Sequence, residues 1–137
     1  MTHDPVPAPP APGLKVLVLE DAADVRERLL PLVVETAGLQ LLGVATSVTE
    51  ARAVLRTLEP DVALLDLRLP DGSGLDLLHE IRARNAGAFV AILTAFDTPH
   101  VRRACLAAGA DAFLSKTSGL DELPALLAAI AAGSVRA

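Results

Sequence analysis

Aromatic residues are nearly absent from this chain. Its 137 residues include three Phe and neither Tyr nor Trp. Stacking of unpaired nucleobases or sugars needs aromatic platforms, so that class of binding is excluded. Cys105 is the one cysteine. A single thiol forms no intramolecular disulfide and no cysteine-based zinc site, and it fits a reducing compartment. Basic residues are outnumbered, twelve against seventeen acidic ones, for a formal net charge of −5. That is the wrong sign for a protein that displaces counterions from nucleic-acid phosphates. No apolar run approaches the roughly 20 residues of a membrane span. The opening Met1-Thr-His-Asp-Pro5 has neither the basic nor the apolar region of a secretory signal. These absences predict a cytoplasmic protein without direct nucleic-acid contact and without a membrane segment.

What remains is aliphatic. Hydrophobic residues make up 52 % of the chain, enough for a core built from Leu, Val, Ile and Ala. One domain is the expectation for this length. Five of the ten prolines fall between Pro5 and Pro12. Proline fixes φ and lacks an amide donor, so residues 1–13 read as a disordered, Pro-rich tail before a domain spanning 14–137.

From Lys15 the pattern changes. Short apolar runs at 15–19, 41–45, 62–65, 89–93 and 112–114 read as buried strands. Between them apolar residues recur at helical spacing, as in Val25, Leu29, Leu32 and Val33, or Leu120, Leu123, Leu127 and Ile130. Ser47 or Thr49 is a candidate cap for the second helix. Gly38, Gly87 and Gly109 are candidate stops for the first, third and fourth. Pro99 and Pro124 suit first helical turns, whereas Pro31 predicts a kink or a late start in the first helix. Strand and helix alternate five times. The expected fold is α/β: a five-stranded, parallel, doubly wound sheet of flavodoxin-like order 2-1-3-4-5, with five helices.

Five polar residues end strands. Glu20 and Asp21 follow the first, Asp66 ends the third, Thr94 the fourth and Lys116 the fifth. All would meet at the carboxyl edge of the sheet, where open α/β folds bind ligands. Three converging carboxylates must protonate or recruit a cation, and Mg²⁺ suits an all-oxygen site. Lys116 is one of only two lysines beside ten arginines. Taken alone, it would read as a strand-end lysine reaching water, and Asp24, Glu27, Glu50, Glu80 and Glu122 read as solvated surface.

With these motifs in order, the chain resembles a bacterial response-regulator receiver domain, from about Lys15 to Gly133. The carriers are Leu19-Glu-Asp21, Leu65-Asp-Leu-Arg-Leu-Pro-Asp-Gly72 with Gly74, Leu93-Thr-Ala95, and Gly109-Ala-Asp-Ala-Phe-Leu-Ser-Lys116. The resemblance implies that Asp66 accepts a phosphoryl group from a sensor histidine kinase or a histidine phosphotransfer protein. It implies Mg²⁺ on Glu20, Asp21, Asp66 and the backbone carbonyl of Arg68. Thr94 and Lys116 would contact the phosphoryl oxygens. Thr94 would then move toward that group, Ala95 would leave space, and Phe113 would turn inward. The surface of the fourth helix, fifth strand and fifth helix would change for a downstream protein target. Arg68 and Phe96 stand where the family tunes phosphoryl lifetime. Thr117 replaces a proline common after the lysine, so the Lys116–Thr117 peptide is expected to be trans.

The nearest competing reading keeps the receiver but makes it part of a LuxR-type transcription regulator, whose linker would start near Ala131-Ala-Gly-Ser134. The leading reading is a stand-alone module, switched by phosphorylation, that signals to a partner protein or passes the phosphoryl group on and catalyses only its own phosphorylation and dephosphorylation. A haloacid-dehalogenase-like phosphatase would need an acid two residues past Asp66, and Arg68 cannot donate a proton there. A flavodoxin-like nucleotide binder would need a Gly-rich first turn, where Glu20-Asp-Ala-Ala-Asp24 stands. His3, His79 and His100 lack ligand spacing. The Ala/Leu-rich fifth helix is either well buried or a homodimer surface.

Overall fold

The structure, a computed structural model, describes residues 13–95 and 97–133. The expectation for the tail therefore lies outside the described residues except at Gly13, and Phe96 lies outside them as well.

Five strands build one sheet: β1 (Leu14–Leu19), β2 (Leu39–Ala45), β3 (Val62–Asp66), β4 (Phe89–Thr94) and β5 (Ala112–Ser115). Their order is β2-β1-β3-β4-β5 and every pairing is parallel. Five α-helices connect or follow them: α1 (Ala23–Glu35), α2 (Val48–Leu55), α3 (Gly74–Arg84), α4 (Pro99–Ala107) and α5 (Leu123–Ala131). The expected architecture and strand order are those observed.

Strand side chains alternate between the two faces of the sheet. Leu17, Leu19, Ala63, Leu65, Val90 and Ile92 pack with α2, α3 and α4 through Val48, Leu55, Leu77, Leu78, Ile81 and Cys105. Val16, Val18, Val62, Leu64, Ala91 and Leu93 pack with α1 and α5 through Leu29, Val33, Leu123, Leu127 and Ile130. Every residue of β3 and β4 is buried, as a central parallel strand covered by helices requires. Each fully buried Leu or Ile contributes roughly 1.5–3 kcal/mol.

Three local expectations change. Pro31 neither delays nor ends α1, which runs through it. Pro31 and Glu27 are both exposed, so the carbonyl deprived of its helix partner can be hydrated. Gly87 does not stop α3 in a left-handed conformation. The helix ends instead at Asn85, with extended backbone and a side-chain Oδ1 that accepts the Gly87 amide at 3.0 Å. Gly38 and Gly109 do adopt positive φ, 91° and 107°. Leu120 belongs to a 3₁₀ turn, Leu120–Glu122, that precedes α5. Ser47 caps α2 through the Glu50 amide, and Pro99 and Pro124 lie in first turns. The fifth helix is buried on one side, by Leu123, Leu127 and Ile130, while Ala125 and Ala128 are exposed.

Candidate functional site

Parallel strands bring their carboxyl ends to one edge, and there the charged residues meet. Glu20 follows β1 and is fully buried. Its amide continues the ladder to the Ala45 carbonyl at 2.9 Å. Asp66, the last residue of β3, is 5 % exposed, while Asp21 is open to solvent. One carboxylate oxygen from each of Glu20, Asp21 and Asp66 lies within 4.8 Å of the others.

Lys116 bridges two of these acids. Its Nζ donates to Glu20 Oε2 at 2.8 Å and lies 3.0 Å from Asp66 Oδ2. Glu20 Oε1 is also 2.8 Å from Nζ, but this is a charge contact without hydrogen-bond geometry. Oε1 is thus a buried carboxylate oxygen with no hydrogen-bond donor. The other oxygen, Oε2, also accepts the Ala22 amide at 3.1 Å.

The electrostatics follow. Burial pushes the Asp66 carboxyl up to about 7; Lys116 opposes the shift and the Glu20 charge adds to it. Burial works against the Lys116 ammonium, yet its bonds to Glu20 and Asp66 outweigh that, and its pKa is raised. Three carboxylates against one ammonium leave an excess of negative charge that a hard cation would counter. An acidic, all-oxygen donor set with a buried oxygen lacking a donor fits a divalent ion bound by carboxylates and water.

The loops are held from behind. Arg26, on α1, donates Nη1 to the Glu20 carbonyl at 3.0 Å and the Asp21 carbonyl at 2.9 Å. Lys116 leaves β5 beside Thr94, whose carbonyl accepts the Lys116 amide at 2.8 Å. Thr94 is fully buried and Ala95 after it is exposed. Gly119 donates to the Ser115 carbonyl at 2.7 Å, and a Cβ there would stand 2.8 Å from that oxygen. Only glycine allows so tight a turn behind Lys116. Among the described residues no peptide bond is cis, so Lys116–Thr117 is trans as expected.

After Asp66 the chain forms a small hairpin in which Arg68 pairs with Ser73 and Leu69 with Gly72. Arg68 is exposed at its start. Asp71, at its tip, bonds the first turn of α2.

Phe113, the residue expected to turn inward on phosphorylation, is buried in this structure. It is 5 % exposed, and the Arg102 guanidinium of α4 lies 5.0 Å from the ring centroid. His79 and His100 stand on different helices, and Cys105 is buried, with its thiol pushed up by desolvation. Arg26, Gly119 and the contacts of Asp71 were not identified from sequence. Arg26 and Gly119 work through backbone carbonyls and Asp71 mainly through the first amides of α2, which leaves little side-chain pattern to find.

The model of the response regulator receiver domain family matches residues 16–128. Response regulator protein PilR of Pseudomonas aeruginosa is 40 % identical over 114 residues, covering 83 % of this chain and 25 % of PilR. The DNA-binding transcriptional activator DevR/DosR of Mycobacterium tuberculosis is 33 % identical over 120 residues, covering 88 % of this chain and 55 % of that protein. This chain therefore spans between a quarter and about half of those relatives. Among solved structures, the signal receiver domain of the response regulator NarL from Mycobacterium tuberculosis superposes with a TM-score of 0.77. It is 27 % identical, and the match covers 89 % of this chain and 98 % of that one. Sheet order, acidic edge and family match agree, and the chain belongs to the response regulator receiver domain family.

Proposed function

We propose that this receiver takes a phosphoryl group onto Asp66 and uses it to alter its α4–β5–α5 surface. The observation that carries this reading is the Lys116 ammonium, 3.0 Å from Asp66 Oδ2 and bonded to the buried Glu20 at the sheet's carboxyl edge.

The donor is a phosphohistidine on a sensor histidine kinase or a histidine phosphotransfer protein. An Asp66 oxygen forms a bond to phosphorus as the P–N bond breaks. The imidazole leaves with the bonding pair, and the product is an aspartyl phosphate. Phosphoryl transfer spreads charge over three oxygens, so positioning and charge neutralisation do most of the catalysis. Mg²⁺, when bound, supplies part of that neutralisation. Glu20, Asp21, Asp66 and the Arg68 carbonyl would hold it. Lys116 supplies the opposing charge from the protein, and Thr94 offers a hydroxyl to a phosphoryl oxygen. Burial favours protonated Asp66 near neutrality, and Lys116 works toward the ionised nucleophile.

Output runs through α4. That helix buries Cys105, half-buries Val101, and presents Arg103, Leu106 and Ala107 to solvent. A downstream protein docked there would read how α4 sits against Phe113. The domain acts on no other substrate; its chemistry is its own phosphorylation and dephosphorylation. A cytoplasmic site of action follows from a histidine-kinase donor; among the described residues no helix is long and apolar enough to cross a membrane.

A second reading rests on the relatives' lengths: this chain is the receiver portion of a longer, LuxR-type DNA-binding regulator. The reading frame beyond Ala137 separates the two. The phosphoacceptor reading itself is tested by titrating the protein with beryllofluoride and Mg²⁺ while recording backbone amide NMR spectra. Shifts centred on residues 20–21, 66–68, 94–95 and 116, and lost in Asp66→Asn, support it. Shifts that persist in the variant overturn it.

A further inference from the structure

The hairpin that follows Asp66 is fastened at its tip to a helix to which it does not belong. Asp71 Oδ1 accepts the Val48 amide at 2.8 Å. Its Oδ2 accepts the Thr49 amide at 3.0 Å and the Thr49 hydroxyl at 2.6 Å. These amides open α2 and have no partner inside the helix. Ser47 satisfies the next one, that of Glu50, at 3.1 Å. A carboxylate at this position also complements the helix dipole.

The fastening has a second contact. A Cβ on Gly72 would lie 3.1 Å from Val48 Cγ2, so the hairpin backbone abuts a buried residue of α2. At its base the same hairpin is closed on Asp66. Gly74 donates to the Leu67 carbonyl at 3.0 Å, and a Cβ on it would stand 2.2 Å from the Asp66 carbonyl oxygen. The two-rung ladder of Arg68 with Ser73 and Leu69 with Gly72 joins tip to base. No slack link separates the Asp66 backbone from the N-terminus of α2. α2 is tied onward to α3 by the Arg52–Glu80 ion pair at 2.7 Å.

We propose that Asp71 is a positioning residue: by docking the 68–73 hairpin on α2, it holds the backbone of the Asp66 loop against the acidic cluster and sets its affinity for Mg²⁺. This rests on the reading of that cluster as a Mg²⁺ site. It also makes α2 a second element that senses the site.

A graded series tests it. Thr49→Val removes one bond, Asp71→Asn keeps a single acceptor oxygen, and Asp71→Ala removes all three. Thr49→Val keeps the fold if Asp71→Ala does not. In metal-free protein, hydrogen exchange should quicken along the series at residues 47–50 and also at 67–74. Exchange that quickens at 47–50 alone makes Asp71 a helix cap and nothing more, and overturns the proposal. Titration with Mg²⁺, followed through the amides of Glu20 and Asp21, should show half-saturation rising along the series. Asp71→Ala should reach about tenfold, the usual size of an outer-sphere effect. An unchanged half-saturation in folded variants also overturns it. If the unaltered protein shows no Mg²⁺ response, the cluster reading fails instead, and exchange at 67–74 still decides whether the fastening reaches the loop.

Discussion

Gly74 packs so closely on Asp66 that a Cβ at position 74 would stand 2.2 Å from the Asp66 carbonyl oxygen. No side chain fits without moving the backbone of the proposed phosphoacceptor. Gly74→Ala should therefore cost about 1–3 kcal/mol of stability, as overpacking does. It should also slow phosphorylation by a small-molecule donor roughly a hundredfold, through misplacement of the nucleophile. Denaturant melts and labelling rates measure the two. An alanine variant that is labelled at the normal rate would contradict the steric account.

Buried Asp66, with its pKa near 7, makes stability depend on pH. An unfolded Asp titrates near 4, so between these values the folded protein keeps a proton that the unfolded chain has lost. Without a divalent cation, stability should fall as pH rises from about 4 to above 7, by at most about 4 kcal/mol. Asp66→Asn removes the buried charge. It should raise the melting temperature at pH 8 and leave it near the unaltered value at pH 5. A variant destabilised at pH 8 would refute the assignment of burial as the dominant cause.

Lys116→Met leaves Glu20 and Asp66 facing each other without a cation. The ammonium's raised pKa means that its contribution is complete below the ordinary lysine value and is lost only as pH rises through the folded one. At pH 8 that contribution is still in force, so metal-free Lys116→Met should lose about 3 kcal/mol. The loss should shrink at pH 5, where Asp66 is protonated. Equal losses at both values would show that Lys116 acts by packing alone.

Arg102 over the Phe113 ring is an exposed cation on a buried aromatic. Arg102→Ala should cost about 0.5–1 kcal/mol, and Arg102→Lys less. Hydrogen exchange should rise along α4, which has Cys105 as its one fully buried anchor. Unchanged exchange there would mean that the ring is held by the core, not by α4.

Most of this structure was legible in the sequence because its signals are periodic. Apolar runs located all five strands, and their abrupt polar ends placed Glu20, Asp66, Thr94 and Lys116 on one edge. What escaped was the holding of loops by side chains that bond the backbone of another element. Asp71 reads as a turn residue, and nothing local tells that it reaches Val48 and Thr49. Arg26 likewise reads as helix surface, yet it grips the carbonyls of Glu20 and Asp21. The late start considered at Pro31 does not occur, since α1 already begins at Ala23. The Arg102 guanidinium over the Phe113 ring also escaped, because it comes from another element.

The central claim is that Asp66 is the residue that becomes phosphorylated. It is tested most directly by incubating the protein with acetyl phosphate and Mg²⁺, trapping the acyl phosphate by borohydride reduction, and mapping the product by peptide mass spectrometry. The account predicts one modified residue, position 66, with no product when the divalent cation is chelated and none in Asp66→Asn. Modification at another residue, or labelling that survives chelation or the substitution, would contradict it.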